Sequence, residues 1–258
     1  MMTTPLLHNQ RSFLERLLDA PVLTVDGPCR GAVNMERDVA LAQALLESPE
    51  DDRVHVRLYA WQPWCISLGH TQPESDIARE RAEADGIELV RRPTGGRAIL
   101  HAQELTYAFA LRLRDGLTPS LVYQQWHLWL AEVLRRSFEV EGITIARVQS
   151  DFPLLYRRAP TRWLCFASSA RTELLWRGRK LVGSAQRLYG EVLLQHGSLL
   201  LGSGHQRLPF YLRECPEPES VAAYLAQRSV TLSEICQRAV SFDEVCDAIR
   251  CGLRSPPV

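Results

Sequence analysis

Leu105, Tyr107, Phe109, Leu111 and Leu113 alternate with smaller or polar residues, the period-two signature of a strand. Thr118-Pro119 follows, a capping hydroxyl with Pro at the first helical position, and Val122, Trp126, Trp129 and Val133 then repeat at helical spacing to about Phe138. After that helix the pattern returns to strands. Residues 172–176 and 180–188 flank an Arg177-Gly178 turn, and Tyr189-Gly190 turns the chain into 192–201. Strands joined by tight turns pair antiparallel, whereas parallel strands need a long crossover between them. The order therefore predicts an α+β fold, with a mixed, mostly antiparallel sheet flanked by helices.

The flanking segments fit that frame. Phe13-Leu14-Leu17-Leu18 reads as a peripheral helix. Asn34 is placed to cap a helix whose apolar face is Met35, Val39, Ala42 and Leu46. Residues 54–60 alternate as a strand, and a short strand resumes at 65–69 after Pro63. A charged helix covers 77–85, and short apolar runs at 87–90 and 98–100 bracket a Thr94-Gly95-Gly96 turn. The end of the chain, 218–253, reads as two short helices, one carrying Val221, Tyr224 and Leu225, the other Phe242, Val245, Ile249 and Leu253. The expected organisation is an N-terminal extension over 1–22, a main domain over 23–217 and a short helical C-terminal tail over 218–258.

Thirty basic and thirty acidic side chains cancel, so no overall field recruits nucleic acid or an anionic membrane, and neither is expected as a partner. No apolar run approaches the ~20 residues that span a bilayer. The first ten residues lack the charged and apolar blocks of a secretory signal. Seven Cys without a CxxC pair argue against a disulfide framework or a zinc site and for a reducing cytoplasm. One of the seven is a candidate nucleophile, and most of the rest are expected in the core. No metal or cofactor is expected.

Of the 30 basic residues 29 are Arg, and Lys180 is the single Lys. Codon bias accounts for the Arg excess, which leaves Lys180 as the position where a compact ammonium is kept. It lies in Gly178-Arg179-Lys180-Leu181-Val182-Gly183-Ser184-Ala185-Gln186. Two other segments carry candidate chemistry. In Arg91-Arg92-Pro93-Thr94-Gly95-Gly96-Arg97-Ala98-Ile99-Leu100-His101, paired Gly allows close backbone approach to a ligand and the Arg residues supply anion-binding forks. A Gly-Gly β-turn with surface Arg has the same composition. Cys165 in Trp163-Leu164-Cys165-Phe166 is a buried structural Cys or a nucleophile. Gln195 and His196, before Gly197-Ser198, are either ladder residues at a strand bend or polar groups aimed at a substrate.

Together these segments resemble the biotin/lipoate protein ligase superfamily, closest to its LipM-type octanoyltransferase branch. The resemblance rests on the Arg91–His101 segment followed by Glu104-Leu105-Thr106-Tyr107, on Gly31-Ala32-Val33-Asn34-Met35, and on Leu58-Tyr59-Ala60-Trp61 with Ser67-Leu68-Gly69. The Lys180 segment, Gln195-His196-Gly197-Ser198, Leu232-Ser233-Glu234 and Val240-Ser241-Phe242 extend it to about 23–253. Ala102 stands where ligase relatives often carry Asp, and Ala167-Ser168-Ser169-Ala170 departs from the octanoyltransferase pattern.

The resemblance implies a catalytic domain of the ligase type over 23–217. It implies transfer of octanoate from octanoyl-acyl carrier protein, through a thioester on Cys165, to a Lys of a lipoyl-domain protein such as glycine cleavage H protein or a 2-oxoacid dehydrogenase E2. Lys180 is then expected to lower the Cys165 pKa and contact the acyl carbonyl. Arg92, Thr94, Gly95, Gly96, Arg97, His101, Gly183, Ser184, Ala185, Gln195 and His196 are expected to bind substrate. A monomer is expected. The alternatives are an ATP-dependent lipoate–protein ligase, an octanoyl amidotransferase between lipoyl domains, and a non-catalytic acyl-binding module on the same fold.

Overall fold

The computed structural model describes residues 12–146, 166 and 172–254. The chain enters through α1 (Phe13–Leu18), β1 (Val22–Cys29), α2 (Gly31–Glu47) and β2 (His55–Trp61). β3 (Cys65–Leu68), α3 (Arg79–Ala84), β4 (Glu88–Arg91) and β5 (Ile99–His101) lead to β6 (Glu104–Arg112) and the long α4 (Pro119–Phe138). β7 (Ile143–Ile145), β8 (Leu174–Trp176), β9 (Arg179–Lys180), β10 (Val182–Tyr189) and β11 (Val192–Leu200) follow. A 3-10 run over Ser203–Tyr211 precedes α5 (Pro218–Arg228), α6 (Leu232–Cys236) and α7 (Phe242–Arg254).

The fold is α+β, as the alternation predicts. Five strands pair in the order β1-β2-β6-β11-β10, and two three-stranded sheets have the orders β4-β3-β5 and β7-β8-β9. β1–β2 and β3–β4 are parallel, and the other strand pairs are antiparallel. β6 is buried on both faces. Its Leu105, Tyr107, Phe109 and Leu111 join the main core with Trp126, Trp129 and Val133 of α4. Its Ala108 and Ala110 meet Met35, Ala42 and Leu45 of α2. Large side chains thus point to one helix and small ones to the other, which lets α2 approach the sheet closely.

Thr118 caps α4, its hydroxyl accepting from the Leu121 amide at 3.2 Å. The hairpin of 172–201 divides between two sheets. Arg179 and Lys180 pair with Trp176 and Leu175 in the small sheet, and from Val182 the same chain pairs with β11 in the large one.

Several local expectations are corrected. α1 is not peripheral: Phe13 and Leu17 are fully buried, and the Phe13 ring lies 5.6 Å from that of Phe109. Asn34 does not cap α2. The helix begins at Gly31, and Asn34 is buried inside it, donating to the Ala60 carbonyl at 3.0 Å. The buried face of α2 is Asn34, Met35, Asp38, Ala42 and Leu45, whereas Leu46 is exposed. A search for apolar spacing alone misses a face built partly from polar groups. The charged helix expected over 77–85 shortens to α3, with Glu74–Asp76 forming a 3-10 turn before it.

The C-terminal region holds three helices rather than two. Val245, Ile249 and Leu253 of α7 belong to the same core as α4. The cysteines are less buried than expected: among those described only Cys65 and Cys246 are buried, and Cys251 is exposed. Cys251 falls on the polar side of an amphipathic helix, where burial is not available to it. Among the described residues no helix is long and apolar enough to cross a membrane.

Candidate active site

Sheet register aligns Tyr59, Thr106, Ser198 and Gly183 in one row across four strands, and Ala108, His196 and Ala185 in the next row on the same face. That face, the β4-β3-β5 sheet and the 92–97 turn enclose a cavity of about 310 Å³. Met35, Tyr59, Trp61 and Ile99 give it an apolar wall, and Ser67, His101, Thr106, His196 and Ser198 supply its polar groups. The volume sits at the lower end of the range of small-molecule sites. Among the residues expected to bind substrate, Arg92, Gly95, Gly96, His101, Gly183, Ser184, Ala185 and His196 line it. Thr94, Arg97 and Gln195 do not. Thr94 bonds His196 Nε2 at 2.6 Å from behind, and Gln195 accepts from Gln186 Nε2 at 2.7 Å.

The arginines before the Gly-Gly turn are used differently from the expected anion forks. Arg92 donates to the carbonyls of Ser67 (2.9 Å), Gly95 (2.9 Å) and Arg97 (2.7 Å). Arg91 donates to those of Gly69 (2.9 Å) and Gln72 (2.6 Å). Arg92 ties the turn to β3 and Arg91 ties β4 to the segment after β3, each by satisfying backbone carbonyls, which fixes the backbone beside the cavity.

A second polar cluster adjoins Arg92 through the Ser67 hydroxyl, to which Arg92 Nη1 donates at 3.1 Å. His101 Nδ1 lies 2.8 Å from Glu104 Oε1 and its Nε2 lies 2.7 Å from Ser67 Oγ. Trp61 stacks on the His101 ring at 4.0 Å. Thr106 and Ser198 donate to the same Glu104 oxygen at 2.6 and 2.7 Å. Burial pushes the Glu104 carboxyl up, but the adjoining His101 and the two hydroxyls outweigh it and hold the group below its ordinary value. His101 is thereby fixed in ring orientation at the cavity wall.

Lys180 is buried, and its ammonium bonds Glu173 Oε1 at 2.9 Å. Nζ also lies 5.0 Å from the centre of the Phe166 ring. It does not line the cavity directly. A Cβ added at Gly183 would lie 2.9 Å from Lys180 Cε, 3.2 Å from Nζ and 3.3 Å from Phe166 Cζ. The ammonium therefore sits against Gly183 on the side a side chain there would occupy, and the missing side chain leaves it the space. Cys165 lies outside the described residues. Cys65 is a poor nucleophile, because burial pushes its thiol far up.

Behind the sheet, Ser184 Oγ meets His127 Nε2 at 2.9 Å and also bonds the Tyr107 hydroxyl. Burial, reinforced by the Lys180 charge, pulls the His127 pKa down to about 3 and keeps its ring neutral.

Sequence reasoning missed Asp38, Glu104 and Glu173 as parts of the site. Glu104 was legible as the residue opening the β6 segment of the resemblance. Asp38 and Glu173 carry no local signal, since their partners are far along the chain or join only through a strand pair.

The lipoyl protein ligase A/B catalytic domain model matches residues 31–254, from the first residue of α2 to the last of α7. The chain belongs to that family. Octanoyltransferase LipM of Exiguobacterium sp. is 33% identical over 229 residues, covering 86% of this chain and 81% of the relative. Octanoyltransferase LipM of Exiguobacterium sibiricum is 37% identical over 198 residues, covering 74% and 70%. Lipoate-protein ligase A crystallised with ATP shares the fold, with a TM-score of 0.69 at 19% identity over 90% of this chain and 83% of that one. The family match includes α5, α6 and α7, consistent with the packing of α7 on α4.

Proposed function

We propose that this acyltransferase moves an octanoyl group from octanoyl-acyl carrier protein to a lysine of a lipoyl-domain protein, through a thioester on Cys165. The observation that carries the reading is the buried Lys180 ammonium, placed in the space a side chain at Gly183 of the cavity wall would take and against Phe166, the residue that follows Cys165. An ammonium so placed favours a thiolate over a thiol. It also stabilises the oxyanion formed when a thioester carbonyl is attacked. The apolar wall of Met35, Tyr59, Trp61 and Ile99 suits a short fatty chain. The similarity to the two Exiguobacterium octanoyltransferases supports octanoyl as the group transferred.

A thioester keeps the acyl group activated, and amide formation from it is downhill, so the reaction needs no ATP. Arg92, Gly95, Gly96, Gly183, Ser184 and Ala185 shape the acyl slot in this reading, His101 and His196 flank it, and Thr94, Arg97 and Gln195 hold the turn and strand that carry them. The purified chain is incubated with octanoyl-acyl carrier protein and an apo lipoyl domain without nucleotide. Octanoylated lipoyl domain is expected. Product that requires ATP and free octanoate would replace the reading with a ligase.

A further inference from the structure

The cavity has two unlike ends. At β10 the Lys180 ammonium lies against Gly183. Gly183 opens a row that crosses the large sheet over Ser198 and Thr106 to Tyr59 on β2. Three strand spacings make that row about 14 Å long. At its far end Met35 of α2 packs in a small apolar cluster with Tyr59, Trp61, Cys65 and Ala108. A fatty acyl group has the same polarity, with a carbonyl at one end and a methyl at the other. Placing the carbonyl by the ammonium lays the chain along the row and brings its methyl to Met35.

The polar side chains beside the row are already paired. Thr106 and Ser198 donate to Glu104 at 2.6 and 2.7 Å, and Trp61 Nε1 donates to the Thr106 hydroxyl at 2.7 Å. His196 Nδ1 lies 3.0 Å from Asp38 Oδ2, and its Nε2 lies 2.6 Å from the Thr94 hydroxyl. A hydrocarbon chain passing over these groups leaves none of them unpaired. Length then decides what fits. An extended chain advances about 1.2 Å per bond, so an octanoyl chain spans about 8 Å and a dodecanoyl chain about 13 Å. The first leaves room in the row for the side chains at either end, and the second does not.

We propose that Met35 is the end-stop that sets the length of the acyl chain. The inference rests on the octanoyl-transfer reading and deepens it, from the group moved to the residue that selects it. The other large side chains at that end are fixed. Tyr59 donates to Asp38 Oδ2 at 2.8 Å and carries the Arg57 guanidinium over its ring at 3.9 Å. Trp61 is held by its bond to Thr106 and by its stacking on His101. Met35 has no donor to anchor it, and its three rotatable bonds let it close on a methyl terminus. It is buried in the apolar cluster, so a shorter side chain there lengthens the slot without opening it to water.

Direct binding tests the seating apart from the transfer chemistry. The N-methyl amides of hexanoic, octanoic, decanoic and dodecanoic acids are unreactive, and each is titrated into the purified chain by calorimetry. Wild type is expected to bind the octanoyl amide tightest and the decanoyl amide at least about tenfold more weakly. Met35→Ala should bring the decanoyl amide level with the octanoyl one or ahead of it. Met35→Val should move the same ratio in the same direction by less, and it carries the test if Met35→Ala does not fold. Ile99→Ala is the control, because Ile99 lines this cavity and, with Phe166, a small one near the ammonium end. It should weaken all four amides alike without moving the optimum. An unchanged decanoyl-to-octanoyl ratio in the folded Met35 variants, or a shifted optimum in Ile99→Ala instead, overturns the end-stop, as does a wild type that binds none of the amides. A wild type that shows the length preference but moves no octanoyl group from octanoyl-acyl carrier protein sinks the transfer reading and leaves the end-stop standing.

Discussion

Gly183 and Lys180 form one device at the scale of single residues. The ammonium occupies the space that a side chain at 183 would claim, with only 2.9 Å between a Cβ placed there and Lys180 Cε. Gly183→Ala should therefore displace the flexible end of Lys180 while leaving the fold intact. We expect kcat/KM to fall by at least about tenfold, roughly 1.4 kcal/mol, with little change in melting temperature. Lys180→Arg should cost on the order of 100-fold, because a planar fork does not fit between Glu173 and Gly183. Near wild-type turnover in either variant would remove Lys180 from the chemistry. The Lys was legible in the sequence because it stands alone among the basic residues. Its partner Glu173 was not, because the pair is made by the turn that brings β8 back onto β9.

The element that organises the site is the β6–β11–β10 face of the large sheet. On the side turned to α4, away from the cavity, the register sets Tyr107, Gly197 and Ser184 side by side, and the glycine lets the two hydroxyls meet over it. A Cβ on Gly197 would lie 2.5 Å from both Ser184 Oγ and the Tyr107 hydroxyl. Gly197→Ala should destabilise the protein by about 1–3 kcal/mol, read as a lower urea midpoint. An unchanged midpoint would mean that the row repacks freely. Strands, the α4 cap and the Gly-Gly turn were readable because period and turn chemistry are local signals. The face of α2 was misread for the opposite reason. Asn34 and Asp38 are buried by partners on β2 and β11, and a pattern of apolar spacing does not contain those partners.

The molecule as a whole buries several ionisable groups, and this sets its response to acid. His127 and His205 are driven by burial to about 3 and about 4 from an ordinary 6.5. The unfolded chain binds protons at these positions that the folded chain refuses, so their contribution is complete above about 6.5 and declines as pH falls toward 4. At pH 5 each should cost on the order of 2 kcal/mol relative to neutral pH. A urea midpoint equal at pH 7.5 and pH 5 would contradict that burial. At this scale the α+β class was legible from the order of periodicities. The incorporation of α1 and α7 into the main core was not, since amphipathic helices at chain ends look alike whether they cap a core or complete it.

The central claim is that a sulfur poised beside the Lys180 ammonium holds the acyl group between donor and acceptor. Intact mass of the enzyme after mixing with octanoyl-acyl carrier protein alone tests it most directly. An increment of one octanoyl group that hydroxylamine removes, and that is absent from Cys165→Ala, is the predicted result. An enzyme whose mass does not change, or an adduct that survives in Cys165→Ala, would contradict it.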